Sequence, residues 1–395
     1  MACIRWPQRA EDAHFIQSLS LRSIDWKHFV LLVQHHRVVP IVLHNLVNAH
    51  INTSSTEIKD AFSTLREIAA ANTRSALRSL SELRSLCNRL NARGIPVRIL
   101  KGLPLAQEIF GDLSFRMTGD IDVLVDASHI LKADEVLRES GYQGLVQIHR
   151  FSQRRFSFYR AHWKDIAYKD LQRGHEVDLH WRLFRNRQMP GGDLIQTAER
   201  CVVAFGDFHV NTLPKEEHLL YLCIHGTIDG WLYLKSLADI AALVRTMSPS
   251  ELDSLAAKAI AYKILPELSV AMILVRRFFG MDNWSSAFLP DNSLIVRHSL
   301  LYAEHALVGG AFVANRVDIS SARVFAFEYG LRRNFSYRKE LFIRILFRLR
   351  MWTTFPLPDY LFGLYPLLSP IEWLFSRIRS KQDERFDSSA PTPNS

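Results

Sequence analysis

Residues 10–93 carry apolar side chains at every third or fourth position, which is the spacing of one face of an amphipathic helix. The pattern is clearest in Ser55–Arg93, a stretch without proline. Its apolar positions are Ile58, Phe62, Leu65, Ile68, Ala69, Leu77, Leu80, Leu83, Leu86 and Leu90. Gly94 follows, and glycine is common just past the C-terminus of a helix. The sequence therefore predicts a helical N-terminal region that ends at this glycine.

From residue 94 the pattern changes to short apolar runs that alternate with amphipathic ones. Short runs rich in β-branched residues are typical of strands, and the longer runs between them are typical of helices. The predicted elements are strands at 95–100 and 121–125 and helices at 103–110 and 128–140.

Four further segments alternate polar and apolar residues and are predicted as strands: 145–148, 155–159, 165–168 and 175–181. The last has strict period two, with Val177 and Leu179 on one face and Glu176, Asp178 and His180 on the other. Since the strands follow one another both with and without intervening helices, we expect a mixed sheet rather than a purely parallel one.

Helical spacing returns after Pro214, with runs at about 250–280, 297–308 and 318–350, and the polar tail from Lys381 is predicted to be disordered. The expected fold class is therefore α+β: a small mixed sheet flanked by an N-terminal helical region and a C-terminal all-α region. The expected divisions are 1–93 (helical), 94–212 (α/β core), 213–380 (helical domain) and 381–395 (tail).

The composition narrows the class of protein. The chain has 395 residues, with 49 Lys+Arg against 40 Asp+Glu, and its 4 cysteines are scattered without a CxxC. Disulfides and structural zinc are not indicated, and together with the absence of a signal-like apolar run this favours a cytoplasmic protein. A net charge of +9 over this length indicates a mildly basic surface, so nucleic acid is not favoured as a partner.

Asp120-Ile-Asp122 is the first group of residues that suggests chemistry. On a strand, positions i and i+2 face the same side, so both carboxylates would project together. Their repulsion is commonly relieved by a divalent cation between them. Asp178 lies on another strand with acids on one face, and if the two strands are neighbours the three carboxylates form a site suited to Mg²⁺. Glu176 shares that face and is the alternative third ligand.

Lys101-Gly102 breaks the strand that precedes this group. A glycine turn that leads into a helix presents backbone N–H groups, and the lysine adds an ammonium. Both would favour phosphate beside the metal. None of the GxGxxG, GxxxxGK[ST] or GxSxG patterns occurs in the chain, so Rossmann, P-loop and α/β-hydrolase chemistry lack support.

Three motifs together resemble the nucleotidyltransferase-fold superfamily, and more closely the bacterial group of uncharacterised nucleotidyltransferases. They are Leu100-Lys-Gly102, Arg116-Met-Thr-Gly-Asp-Ile-Asp122 and Glu176-Val-Asp-Leu-His-Trp181, and the later stretch His218–Ile240 adds to the likeness. The match covers about residues 70–245. Each motif alone is modest, and their order and spacing make the resemblance specific.

The resemblance implies that Asp120, Asp122 and Asp178 hold two Mg²⁺ ions and are the catalytic carboxylates. An acceptor oxygen would attack the α-phosphate of a nucleoside triphosphate (NTP), and pyrophosphate would leave. Lys101 and Gly102 would bind the triphosphate. The resemblance does not indicate the acceptor. The group tends to have a histidine where Asp229 stands and a tryptophan where Ser236 stands, and these two departures weaken any inference about the acceptor.

Two further residues are candidate cofactor-binding residues with structural alternatives. Arg116 could clamp a phosphate or form an ion pair with a site carboxylate. His180 could contact substrate, or it could be a partly buried structural histidine. Lys235 and Asp239, at i and i+4, read most simply as a pair on a helix surface.

The segment Arg332–Arg350 is rich in arginine and is followed by an aromatic, proline-broken stretch to residue 370. Such a segment either closes the core with a basic solvent face or makes weak contact with an anionic membrane surface. The favoured function is thus a Mg²⁺-dependent nucleotidyltransferase. The alternatives are a catalytically lapsed scaffold that binds through this segment, and a nucleotidyltransferase that modifies RNA.

Overall fold

The structure is a computed structural model that describes residues 1–19, 24–192, 194, 201–281, 296–301, 303 and 321–370. It confirms the α+β class. The N-terminal region forms helices α1 (Ala10–Leu19), α2 (Trp26–His35), α3 (Val39–Asn48) and α4 (Thr56–Ala92). Gly94, with φ +66°, turns the chain out of α4, as its position in the sequence predicts.

The middle of the chain forms the expected mixed sheet of five strands in the order β1-β2-β5-β4-β3. Only β2 and β5 pair in parallel among the strands of this sheet, and the other neighbours are antiparallel. The strands are β1 (Arg98–Ile99), β2 (Ile121–Leu124), β3 (Tyr142–Gly144), β4 (Asp165–Asp170) and β5 (Glu176–His180). The parallel pair is the feature that places the candidate carboxylates.

Helices α5 (Leu103–Phe110), α6 (Ile130–Glu139) and α7 (Gln153–His162) connect these strands. The first two confirm the predicted helices. A hairpin of β6 (Cys201–Phe205) and β7 (Phe208–Thr212), which the sequence pattern did not predict, follows the sheet.

Two predicted strands are wrong. Residues 155–159 lie within α7, which begins where the Ser152 side chain accepts a hydrogen bond from the Arg155 amide. Phe156 and Tyr159 are buried at helical spacing, and five residues are too few to separate that spacing from alternation. The strand expected at 145–148 lies just earlier, as β3, because the chain turns away into a short 3₁₀ helix at Ile148–Arg150.

The C-terminal region is helical, as predicted. Its helices are α8 (Lys215–Ile228), α9 (Leu234–Arg245), α10 (Pro249–Ala261), α11 (Leu265–Phe279), α12 (Ser321–Leu331), α13 (Phe335–Leu346) and α14 (Leu349–Thr354). The helical run expected at 297–308 is described as far as 301 and at 303, and the tail from 381 lies outside the described residues.

The buried residues form two apolar clusters, and α4 belongs to both. The first cluster joins the N-terminal helices, including Leu65 of α4, to helices α8–α11. The second joins Leu83 and its neighbours in α4 to the sheet and to Trp352 of α14. The division of the chain into domains at 93 and 212 stays a prediction.

The four cysteines are free thiols. None of the helices in the described parts of the chain combines the length and the hydropathy needed to cross a membrane.

Gly226 allows α8 to pack against Trp231, which is 1% exposed and has φ +56°. A Cβ at Gly226 would overlap the Trp231 ring. We expect Gly226→Ala to lower the free energy of unfolding by about 1–3 kcal/mol because the indole must move out of a packed core. Gly363→Ala is the control, since a Cβ there meets no atom within 4 Å. Equal urea midpoints for the two variants would contradict this packing role.

Candidate active site

The parallel pairing of β2 and β5 brings two of the predicted carboxylates together. In the register of the two strands Asp122 lies beside Asp178, and alternation turns both side chains to the same face of the sheet. Oxygen atoms of Asp122 and Asp178 and a ring nitrogen of His180 lie within 4.8 Å of one another. The condition that the sequence left open, that the two strands are neighbours, is therefore met.

The two carboxylates differ in their surroundings. Asp122 is 2% exposed, and although burial alone would raise the pKa of its carboxyl, the charge of Lys101 and the hydrogen bond from His180 hold the pKa well below its usual range. At Asp178, burial and the charges of Asp122 and Asp120 raise the pKa to about 7. The neighbours of Asp122 thus stabilise its negative charge, whereas those of Asp178 disfavour its negative charge.

Lys101 is the counter-charge of the site. Its Nζ atom lies 3.3 Å from Asp122 Oδ2 and 4.0 Å from Asp120 Oδ2. Burial would lower the pKa of the Lys101 ammonium, but the attraction of Asp122 outweighs burial and raises it. Gly102, with φ +76°, is the N-cap of α5, so the lysine stands where a helix N-terminus meets the carboxylates.

Asp120 lies at the rim of this group. It directly precedes β2, and its side chain is 40% exposed. The structure therefore joins Asp120 to Asp122 through Lys101, while Asp178 approaches Asp122 directly.

His180 is 1% exposed and lies between Asp122 and Lys164. Lys164 Nζ is 3.3 Å from His180 Nδ1, and an ammonium can only donate, so Nδ1 is the acceptor of the ring. His180 Nε2, 3.0 Å from Asp122 Oδ1, therefore carries the ring proton and donates a hydrogen bond to the carboxylate. Burial lowers the pKa of His180, in agreement with a neutral ring. With this tautomer His180 orients Asp122.

Glu176, the alternative third carboxylate, has a different partner. It is 53% exposed and accepts a hydrogen bond from Lys169 at 2.8 Å, across the β4–β5 pair. The geometry therefore favours Asp178 over Glu176 as the neighbour of Asp122.

Arg116 is 5% exposed, and its Nε donates to Asp239 Oδ2 of α9 at 3.0 Å. One helical turn earlier, Lys235 Nζ donates to the carbonyl oxygen of Met117 at 3.1 Å. The reading of Lys235 and Asp239 as a surface pair is wrong, because Asp239 is buried against Arg116 and Lys235 bonds to the main chain. These two contacts, which we call the α9 clamp, hold the loop that leads to Asp120.

Helix α8 lies over the carboxylates. Tyr221 is 1% exposed, and it interacts electrostatically with Lys101 and Asp122. At the end of the helix His225 Nδ1 lies 3.0 Å from Asp229 Oδ2, whereas His218 is buried near Glu108 at 3.5 Å. Trp181 and Trp231 are core residues, 6% and 1% exposed.

The arginine-rich C-terminal segment is partly tied to the protein. Arg332 pairs with Glu267, Arg344 lies 3.4 Å from Glu328, and Arg338 lies over the Tyr329 ring. Apolar residues of the segment and of the stretch after it remain on the surface, among them Phe335, Tyr360 and Leu367 at 79%, 78% and 71% exposure. Contact with a membrane surface stays a prediction.

Sequence reasoning missed Lys164, Asp165 and the α9 clamp. Lys164 lies 2.7 Å from Asp165 and touches His180 because Asp165 and His180 are partners in the β4–β5 register. Period-two alternation predicts the faces of a strand but not its register, so nothing local pointed to this pair. The i, i+4 spacing of Lys235 and Asp239 was the one local signal for the clamp.

The comparisons with known proteins come to the following. A family model described as uncharacterised nucleotidyltransferase matches residues 22–280. A search of curated proteins finds no match. Among solved structures, the chain is similar at 19% identity and a TM-score of 0.32 to an antigenic nucleotidyltransferase-like protein from Paracoccidioides brasiliensis, covering 57% of this chain and 93% of that one.

The Arg116–Asp239 pair gives a prediction about stability. Asp239→Leu leaves the guanidinium buried without its carboxylate, and we expect it to lower the free energy of unfolding by about 3–5 kcal/mol. The double variant Arg116→Met/Asp239→Leu should recover most of that loss in urea unfolding. A double variant as unstable as the single one would contradict the structural role.

Lys235 gives a prediction about pH. Burial lowers the pKa of its ammonium to about 7, from an ordinary value of 10.5. Between these values the unfolded chain binds more protons than the folded one, so stability rises with pH by up to about 1.4 kcal/mol per unit. Lys235→Met should remove this contribution. The measurement is the difference in unfolding free energy between wild type and variant at pH 7, 8 and 9, and a constant difference would contradict it.

Proposed function

The chain belongs to the uncharacterised nucleotidyltransferase family, and on that premise we propose that it transfers a nucleoside monophosphate from an NTP to an acceptor in a Mg²⁺-dependent reaction. The observation that carries the proposal is the register of β2 and β5. It sets Asp122 beside Asp178 at a distance suited to a shared cation, next to the Lys101 ammonium.

The residues fit a divalent cation. Carboxylate oxygens are the ligands that Mg²⁺ prefers. Asp122 Oδ2 is buried and accepts no hydrogen bond within the described parts of the chain, although Lys101 lies near it. Burial, and after it the charges of Asp122 and Asp120, raise the pKa of Asp178, so its carboxylate lacks the positive charge that a cation would supply. Asp120, Asp122 and Asp178 would hold the metal, which would lower the pKa of the acceptor hydroxyl and neutralise the triphosphate.

The phosphate groups lie, in this proposal, on the β1 side of the carboxylates. There Lys101 places an ammonium and Gly102 opens helix α5, whose first N–H groups favour an anion. Gly102 also allows close approach of the backbone, because it has φ +76° and carries no side chain.

Asp178 is the proton acceptor. Its carboxylate lies beside Asp122, where the acceptor hydroxyl would meet the metal, and a carboxylate can take the hydroxyl proton. The acceptor oxygen forms a bond to the α-phosphorus, the bond between that phosphorus and the bridging oxygen breaks, and pyrophosphate leaves with the electron pair. The hydroxyl proton passes to Asp178. His180 holds Asp122 in position, and Lys164 holds the tautomer of His180.

The alternatives have less support. A scaffold that binds a membrane through residues 332–370 is favoured by the exposed Phe335 and Tyr360. Several arginines of that segment pair within the protein, however, and are not free for lipid. A catalytically lapsed protein would also have no use for a cluster of carboxylates whose mutual repulsion is costly. The proposed compartment is the cytoplasm, and no described feature points to RNA as the acceptor.

The test is calorimetric titration of the full chain with each NTP, with and without Mg²⁺. We expect Mg²⁺-dependent binding of at least one NTP, and we expect Asp122→Asn and Asp178→Asn each to weaken Mg²⁺ binding by more than about a hundred-fold, since even the partners of ligands cost 10–100-fold. Asp120→Asn/Asp122→Asn should abolish transfer.

Glu176→Gln is the matched control, because this residue lies on the same face of β5 but pairs with Lys169. It should bind Mg²⁺ and NTP like the wild type. Full transfer by the Asp120/Asp122 variant, or no binding of any NTP by the wild type, would overturn the proposal.

A further inference from the structure

A cavity of about 240 Å³ is lined in part by Lys164, which also contacts His180 of the candidate site. It lies between the segment that follows β5, the end of α8 and helix α12. Its polar residues include Lys164, Asp229 and Glu328, and its apolar residues include Phe184, Leu232 and Phe327.

The cavity is on the acceptor side of the site. Lys164, which lines it, directly precedes β4 and contacts His180 at 3.3 Å. Lys101 follows β1 by two residues, on the opposite side of the β2–β5 pair, because the sheet runs β1-β2-β5-β4. Lys164 interacts electrostatically with Asp178, so the cavity lies on the Asp178 side of the carboxylates, away from the expected triphosphate.

The size of the cavity limits what it can take. Pockets that hold drug-sized ligands measure about 300–1,000 Å³, and this one is smaller. A single sugar ring or a molecule of that size fits these dimensions, whereas a nucleic acid or a folded protein does not enter.

The charges around the cavity are balanced. Lys164 lies 2.7 Å from Asp165, Asp229 lies 3.0 Å from His225, and Glu328 lies 3.4 Å from Arg344. His225 carries charge only when protonated, so the exposed Arg185, the remaining charged residue of the lining, offsets the charge of Asp229. A carboxylate in an ion pair still has lone pairs that accept hydrogen bonds from hydroxyl groups. Because charges of opposite sign lie close together, however, the net electrostatic field that would attract an ion is small.

We propose that this cavity is the acceptor site and that it takes an uncharged, polyhydroxylated small molecule about the size of one sugar ring. Its apolar residues pack against the C–H face of the ring, and Asp229 and Glu328 accept hydrogen bonds from its hydroxyl groups. One hydroxyl is directed to Asp178. This inference rests on the proposed nucleotidyl transfer and names the substrate class of that site.

The experiment uses the full chain with Mg²⁺ and the NTP that it binds best. Saturation-transfer NMR compares neutral probes (methyl glycosides of glucose, galactose, mannose and xylose, and myo-inositol) with a zwitterion (glutamine) and a cation (spermidine). Two variants change the cavity: Leu232→Trp fills it, and Asp229→Asn removes a carboxylate. Leu145→Trp is the control, because Leu145 is 78% exposed and does not line the cavity.

We expect at least one neutral probe to bind the wild type and the Leu145→Trp control and to accept the nucleotide. Leu232→Trp should abolish binding of that probe, and Asp229→Asn should weaken it on the order of ten-fold, as for a lost hydrogen bond to a charged group. Both variants should still bind Mg²⁺ and NTP, which also shows that they are folded.

Three results would overturn the inference while the proposed function stands: no neutral probe binds, a charged probe binds better, or filling the cavity leaves probe binding unchanged. Loss of NTP binding in a folded Leu232→Trp variant would show that the cavity holds the nucleoside instead. Failure of the wild type to bind any NTP would instead refute the proposed function itself.

Discussion

Two carboxylates side by side in the interior of a sheet are the constraint on which this site depends. The β2–β5 register places the buried Asp122 next to the half-buried Asp178, and two like charges so close are costly unless positive charge or hydrogen-bond donors are supplied. The surroundings supply both: the Lys101 ammonium approaches from the β1 side, and the His180 ring donates from β5. Lys164 in turn fixes the proton of His180. The contacts of Lys101, His180 and Lys164 thus offset the electrostatic cost of the β2–β5 pairing.

The positive charge and the hydrogen-bond donor stabilise Asp122 more than Asp178, so the two carboxylates differ in their affinity for protons. Lys101 and His180 both act on Asp122, so that residue keeps its charge. At Asp178, burial and the negative charges of the neighbouring carboxylates raise the pKa to about 7. Two residues with the same side chain therefore suit different tasks. In the proposed reaction both would hold the cation, and Asp178, whose negative charge is less stabilised, would also take the proton.

Local sequence patterns predicted the elements of this fold better than the contacts between them. Helical spacing predicted α4 and its end at Gly94, and period two predicted which face of β5 is acidic. The alternation at 155–159 was misleading because five residues fit both periods. The Asp122–Asp178 contact followed only if two strands paired, and register is set by the packing of the whole sheet. Lys164 lies 16 residues from His180 and Asp239 lies 123 residues from Arg116, so the sequence pattern near each residue did not identify its partner.

The long helix α4 has a consequence for motion. Its 37 residues span about 55 Å at 1.5 Å per residue, and its two halves are buried in the two apolar clusters, of which the second contains the β2–β5 pair. A rigid-body hinge between those clusters would have to bend a continuous hydrogen-bonded rod. Helix α4 therefore joins the two clusters rigidly, and we expect the substrate sites to be nearly preformed. Any closure is left to side chains and short loops, such as the turn between α8 and α9.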